Sequence, residues 1–419
     1  MRIDNLQVIS TGWKCRDRLH LRSATQVLWR GLKQNWAEKW RLHAIVSVLP
    51  TIPNIWLLSL QNADINEAQQ AIIFGLLSLR TLVVRSCRFH PSANPLPLSH
   101  VTTLKLAHND LQTTRHLLKI FAATIKTLEV GYFDGTIGQV LQGGSIELRK
   151  LSTFTVKCQL SRTRSAILYT LRRCPSITTI CVLLHDNLAG MSLHHSDLPA
   201  LRNVTCNHQL AMRLIPKRPV TTYIEVVSSK DARPWTLLHA LSQTSAQITS
   251  LNLLVPDKFY SLLPSLAPSL QHLEQLTLTS AYSPMLWLGA RPPDHLSEQE
   301  LHNPPGAPAV ILPKLKRVAI WVDYYLFIRT EYPPERLLKE CFIPACPALE
   351  VFECLGVLHC ARFQFGGLPE AKKAWKARRL PDESWEQQGP PPIPTHVPAK
   401  EIVCSSLGHF MAKGNRYQV

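Results

Sequence analysis

A chain of 419 residues that is 45% hydrophobic and 18% charged has the apolar content for a continuous core and too little charge for a disordered polymer. Its 46 Lys and Arg against 29 Asp and Glu leave a formal charge of +17, enough to attract acidic proteins, nucleic acid or anionic lipid, though no nucleic-acid motif accompanies it. Eleven cysteines without the regular spacing of a disulfide framework fit reduced thiols; with no signal-peptide core and no apolar run of membrane-spanning length, a cytoplasmic or nuclear protein is expected.

Near the start, Ile3, Leu6 and Val8 carry a spacing that returns later in the chain. Helical periodicity then predicts a helix over Ser23 to Leu49, with Trp29, Leu32, Trp36 and Trp40 on one face. Such a stripe has two readings, a lid over the open end of a repeat core or a docking surface for an adaptor protein.

From Ile55 onward one phrase recurs. In its clearest copy Val101, Leu104, Leu106, Asn109 and Leu111 are spaced as in a leucine-rich repeat. Related phrases begin at Ile55, Leu79, Ile125, Leu151, Ile177, Leu201, Ile248, Leu273, Leu315 and Leu349. From Ile55 to Leu201 the starts are 24, 22, 24, 26, 26 and 24 residues apart, inside the roughly 20–29 residues of one such repeat. The phrase predicts an α/β solenoid: a curved parallel sheet on the concave face, with helices and loops on the convex face.

Each phrase predicts a strand whose two later apolar residues point into the core. The inward pairs are Leu58/Leu60, Leu82/Val84, Leu104/Leu106, Leu128/Val130, Phe154/Val156, Ile180/Val182, Val204/Cys206, Leu251/Leu253, Leu276/Leu278, Val318/Ile320 and Phe352/Cys354. Helical spacing in Ala68 to Leu77, Leu117 to Phe121 and Ile167 to Leu171 supplies the return segments that parallel strands need. A degenerate repeat is expected near Val220 to Val226. The proline-dense stretch from Arg291 to Pro308 reads as an inserted loop. After Leu355, a short basic helix is predicted over Leu368 to Arg379, followed by an extended segment at Gly389 to Pro394. The organisation expected is therefore a capping segment at 1–54, a solenoid at 55–365 and a basic, Pro-rich tail at 366–419.

The outward residue before each first inward position is Thr81, Thr103, Thr127, Thr153 and Thr179 in five successive repeats. A β-branched column favours strand pairing, and it also lines the concave face with small hydrogen-bonding groups. With Arg85, Lys105, Lys157 and Arg317 beside Thr103, Thr127 and Thr153, that face is a candidate dock for an acidic protein partner. Trp321 is a candidate anchor or a core residue. Asn109, with Cys87 and Asn62 read as its counterparts, fills the slot where a side chain satisfies backbone groups in the bend between repeats.

Cys341, Cys346, Cys354 and Cys360, with His359, lack the paired knuckle of a zinc site, and no metal or other cofactor is expected. No nucleophile elbow, phosphate-binding glycine loop, metalloprotease helix or dinucleotide fingerprint is found, so no enzyme activity is expected.

The run from Leu42 to Leu60, the irregular repeats and the Pro347 to Glu353 unit together resemble fungal F-box proteins with leucine-rich repeats. The likeness covers roughly Trp29 to Phe365, while the Leu-Pro-x-Glu-Ile-Leu opening of the F-box itself is not found. What the resemblance implies is a non-enzymatic substrate receptor of an SCF-type ubiquitin ligase, or an F-box-less derivative. Its partners would be a protein on the concave face and a cullin-ligase adaptor, with Trp29, Trp36 and Trp40 as the adaptor dock. The alternative is charge-driven binding of nucleic acid or another anionic surface, whose affinity would fall steeply with salt.

Overall fold

The structure is a computed structural model. It describes residues 26–30, 42–43, 46–52, 54–91, 100–131, 139–140, 146–158, 164–184, 193–225, 234–255, 270–280, 312–323, 334–357 and 371–388. In chain order the strands are β1 Gln26–Arg30, β2 Leu57–Gln61, β3 Asp64–Ile65, β4 Thr81–Arg85, β5 Arg88–Phe89, β6 Thr103–Ala107, β7 Thr127–Gly131 and β8 Thr153–Cys158. They continue as β9 Thr179–Leu184, β10 Asn203–Cys206, β11 Thr222–Glu225, β12 Ser250–Val255, β13 Gln275–Ser280, β14 Arg317–Asp323, β15 Val351–Val357, β16 Ala371–Arg379 and β17 Trp385–Gln388. All but β3 and β5 form one 15-stranded sheet whose order follows the sequence, parallel from β1 to β15 and antiparallel at β16 and β17. At about 4.8 Å per strand the sheet runs about 67 Å.

Burial fixes the register. Every residue of the eleven inward pairs is 3% exposed or less. Because side chains alternate with period two, a slip of one residue would turn this whole set to water. Each such aliphatic burial contributes about 2 kcal/mol, and the pairs join one continuous core.

A second regularity lies in the backbone, at the edge where the strands begin. There, one carbonyl of each repeat accepts two consecutive N–H groups from the next. Trp56 O takes Arg80 and Thr81, Arg80 O takes Thr102 and Thr103, Thr102 O takes Lys126 and Thr127, and Lys126 O takes Ser152 and Thr153, all at 2.8–3.0 Å. The same step repeats through Ser152, Thr178, Arg202, Thr221, Thr249, Glu274 and Lys316. Hydroxyls reinforce it, as Ser152 Oγ donates to Lys126 O at 3.1 Å and Thr178 Oγ1 to Ser152 O at 3.2 Å.

The helices are α1 Glu67–Phe74, α2 Leu111–Phe121, α3 Arg164–Arg173, α4 His208–Leu214 and α5 Pro234–Ser242, with shorter helical turns across 334–345. Asn66, Asp110 and Asn207 start three of them by accepting the N–H of Gln69, Thr113 and Leu210, and Gln69 returns the bond to complete a capping box. Against the sheet α2 buries Thr113, Thr114, Leu117, Leu118 and Phe121, and Phe121 meets Phe74 edge-on at 5.3 Å.

Two terminal expectations are corrected. Trp29 lies on β1, not on a helix, where it pairs with Leu60 while the buried Val27 pairs with Leu58. An unpaired edge of β2 would leave a row of backbone groups to satisfy, and this strand satisfies them. Residues 42–43 and 46–48 are helical, whereas Trp36 and Trp40 lie outside the described residues. At the other end, of the basic helix predicted over Leu368 to Arg379, Ala371–Arg379 is instead strand β16, and residues 368–370 lie outside the described residues. Its alternation explains why: Trp375 and Ala377 are buried opposite Cys354 and Phe352, while Lys376 faces Glu353 at 2.6 Å. The proline-dense insertion and the Gly389 to Pro394 segment fall outside the described residues.

Candidate functional site

The sheet face opposite the core carries the threonine column in exact cross-strand register: Thr81 pairs with Thr103, Thr103 with Thr127, Thr127 with Thr153 and Thr153 with Thr179. The column continues further than the sequence reading took it, through Asn203, Thr222, Ser250 and Gln275 to Arg317. Asn203 Nδ2 donates to Thr179 Oγ1 at 3.1 Å. Thr103, Thr127 and Thr153 are half-buried.

The cations expected beside the column differ in their availability. Arg85 and Arg317 are exposed. Lys105 is not free, since its Nζ lies 2.7 Å from Glu129, its cross-strand partner. Glu129 holds the same repeat slot as Lys105 one unit later, so the pairing was readable from the spacing. Lys157 lies on β8 with its side chain outside the described set, and Trp321 on β14 is half-buried. On this same face Thr81 and Val83 on β4, Leu183 on β9 and Thr279 on β13 are buried, while the described outward residues of β6 to β8 are half-buried.

The bend slot is built as expected at Asn109. Its Oδ1 accepts the Cys87 N–H at 3.0 Å and its Nδ2 donates to Val84 O at 2.9 Å. Asn62 is not the counterpart. Ala63 holds that slot, and Asn62 precedes it as a left-handed residue (φ 53°), equivalent to Ser86 (51°) and His108 (54°). The Asn62 N–H donates to Arg85 O and the Ser86 N–H to Ala107 O, each at 2.9 Å, so the left-handed turn feeds the next strand.

The degenerate repeat carries the least ordinary side chains of the core. Its inward pair is Tyr223 and Glu225, 0% and 5% exposed, where the other repeats hold aliphatics, phenylalanine or cysteine. The β11–β12 pairing ends at Ile224 and Asn252. The register that takes the Ser250 N–H to Thr221 O would take the Leu254 N–H to the Glu225 carbonyl; instead Glu225 Oε2 accepts it at 3.0 Å. Burial pushes the Glu225 carboxyl up to about 8, opposed in part by that bond. The buried Arg218 is likewise accounted for, its guanidinium donating to the carbonyls of His194, Asp197, Arg213 and Leu214 and so closing the C-terminus of α4.

Cys346 and Cys354 are core residues, each thiol pushed up to about 12 by burial, while Cys360 and His359 lie outside the described residues. Among the described residues no three His, Cys, Asp or Glu side chains gather as a metal site. A groove of about 460 Å³ between α4 and α5 is lined by Met212, Arg213, Thr236, His239 and Gln243, where Gln243 and His239 bond each other at 2.7 Å. Among the described residues no helix is long and apolar enough to cross a membrane.

No family model matches the chain, and no curated protein matches it.

Proposed function

We propose that this chain is a non-enzymatic leucine-rich-repeat protein whose open sheet face recognises another protein. The observation that supports this reading is the register-locked threonine column, whose members Thr103, Thr127 and Thr153 on three neighbouring strands are half-buried. Hydroxyls held at about 4.8 Å intervals by a sheet have already lost their conformational freedom, so a partner binds them without an ordering cost. Self-neutralisation of Lys105 by Glu129 leaves the middle of that face to hydrogen bonding rather than to net charge. In the ligase version of the proposal, the recognised protein is a substrate and the tryptophan segment meets the adaptor.

Affinity purification of the full chain tests both parts. Replacing Thr103, Thr127 and Thr153 together by Arg removes the bound protein, whereas Arg115→Glu, on exposed helix surface, retains it. Equal recovery from both variants counts against the face as the recognition surface. Adaptor recovered from the intact chain and lost in Trp36→Ala/Trp40→Ala supports the ligase version; adaptor never recovered removes it.

A further inference from the structure

The edge where the strands begin is charged differently from the face beside it. The residue whose carbonyl receives two N–H groups is Trp56 in β2's repeat and Arg80, Lys126 and Arg202 in three later ones. All three cations are exposed, as is Lys150 in the turn leading to β8, and none of the four makes an ion pair with a described residue. Among the described residues the two acids on nearby turns, Glu147 and Asp197, are taken by Arg149 at 2.7 Å and Arg172 at 3.7 Å. In this carbonyl position no acid occurs before Glu274, which has Lys316 at 3.7 Å. The unbalanced positive stretch therefore covers the edge from β4 to β10.

Its N-terminal end is apolar. Leu77 is 72% exposed and Trp56 41%. Arg80 Nη1 donates to the carbonyls of Leu77 at 2.7 Å and Leu79 at 3.2 Å, which fixes the first cation beside that apolar surface. Strand spacing places Arg80 and Lys126 about 10 Å apart and Lys126 and Arg202 about 14 Å apart. Each strand of a DNA duplex carries a phosphate about every 3.4 Å of its axis, so most phosphates would find no cation here, and a sugar-phosphate backbone has no aliphatic side chain for Leu77. A polypeptide can supply both an apolar anchor and widely spaced carboxylates.

We propose that this edge docks an acidic, extended polypeptide segment, with an apolar side chain on Trp56 and Leu77 and carboxylates on Arg80, Lys126 and Arg202. About eight extended residues cover the distance. This surface is separate from the threonine face, and either one can fail without the other.

The test uses the full chain and two fluorescein-labelled probes in an anisotropy titration: a peptide of alternating Leu and Glu, and an oligouridylate of equal charge. The peptide binds, about tenfold more weakly in Lys126→Gln/Arg202→Gln and several-fold more weakly in Leu77→Ser. The charge-preserving Lys126→Arg/Arg202→Lys variant and the face variant Thr103→Ala/Thr127→Ala bind it as the parent does. Peptide affinity unchanged in Lys126→Gln/Arg202→Gln, or no peptide binding at all, overturns the proposal. So does an oligouridylate bound as tightly as the peptide and lost in the same variants, which makes the edge a nucleic-acid surface.

Discussion

Asn109 and Cys87 perform the same task one repeat apart. The Asn109 amide accepts the N–H of Cys87 and donates to Val84 O; the Cys87 thiol accepts the N–H of Ala63 at 3.4 Å and has two carbonyls in reach of its single hydrogen, Arg85 O at 3.2 Å and Leu60 O at 3.4 Å. Val84 and Leu60 are themselves equivalent inward residues, so the thiol reaches the same two backbone groups as the amide, but it divides its one hydrogen between Leu60 O and Arg85 O. The amide does it with stronger bonds.

Truncating Asn109 therefore leaves a buried donor and a buried acceptor unpaired. Asn109→Ala is expected to cost about 1–3 kcal/mol in urea unfolding, and Cys87→Ala less. Burial also pushes the Cys87 thiol up to about 11, so it reacts with iodoacetamide in the native protein much more slowly than an exposed cysteine. A larger cost for Cys87→Ala than for Asn109→Ala contradicts the equivalence.

The last parallel strand is covered by an aromatic contact from β16. Trp375 sits opposite Cys354 on β16 and meets Phe352 edge-on at 5.8 Å, shielding the end of the core. Trp375→Ala is expected to cost about 3–5 kcal/mol locally. In an array whose units touch only their neighbours the damage stays near the end. Hydrogen exchange should then show β15 losing protection while β6 to β8 keep theirs; uniform loss across the sheet argues against a local lid.

How much of this was legible in the sequence follows from which physics set each feature. The inward pairs and the threonine column depend on a period-two pattern repeated many times, and such repetition survives noise. Trp29 and Trp375 were misread because their segments were weighed alone: helical spacing in the first, and the run of lysines and alanines in the second, say nothing of a neighbouring sheet edge that needs a strand. The Lys105 and Glu129 pairing was present in the slot arithmetic and needed only the comparison of adjacent repeats. Only the count from Val220, which puts Tyr223 and Glu225 in the inward slots, marks Glu225 as buried; its residue type does not. Its position follows from β11 pairing with both β10 and β12, and only that register turns residue 225 toward the core.

Glu225 gives the protein a pH dependence whose sign is fixed by burial. Around the carboxyl stand Tyr223 on its own strand, Cys206 on β10 and the Leu254 N–H on β12, with no cation among the contributors to its shift. Unfolded, the group titrates near its ordinary 4.5; folded, near 8. Between these values the folded chain holds a proton that the unfolded chain has released, so rising pH favours unfolding throughout that window. Below it both forms are protonated and the residue contributes no slope; above it both are ionised and the full penalty is present. Glu225→Gln keeps an oxygen for Leu254 but cannot ionise. The variant should melt with the parent near pH 5 and several degrees above it at pH 8 and higher. Melting curves that stay parallel from pH 5 to 9 rule out a buried, titrating carboxyl at this position.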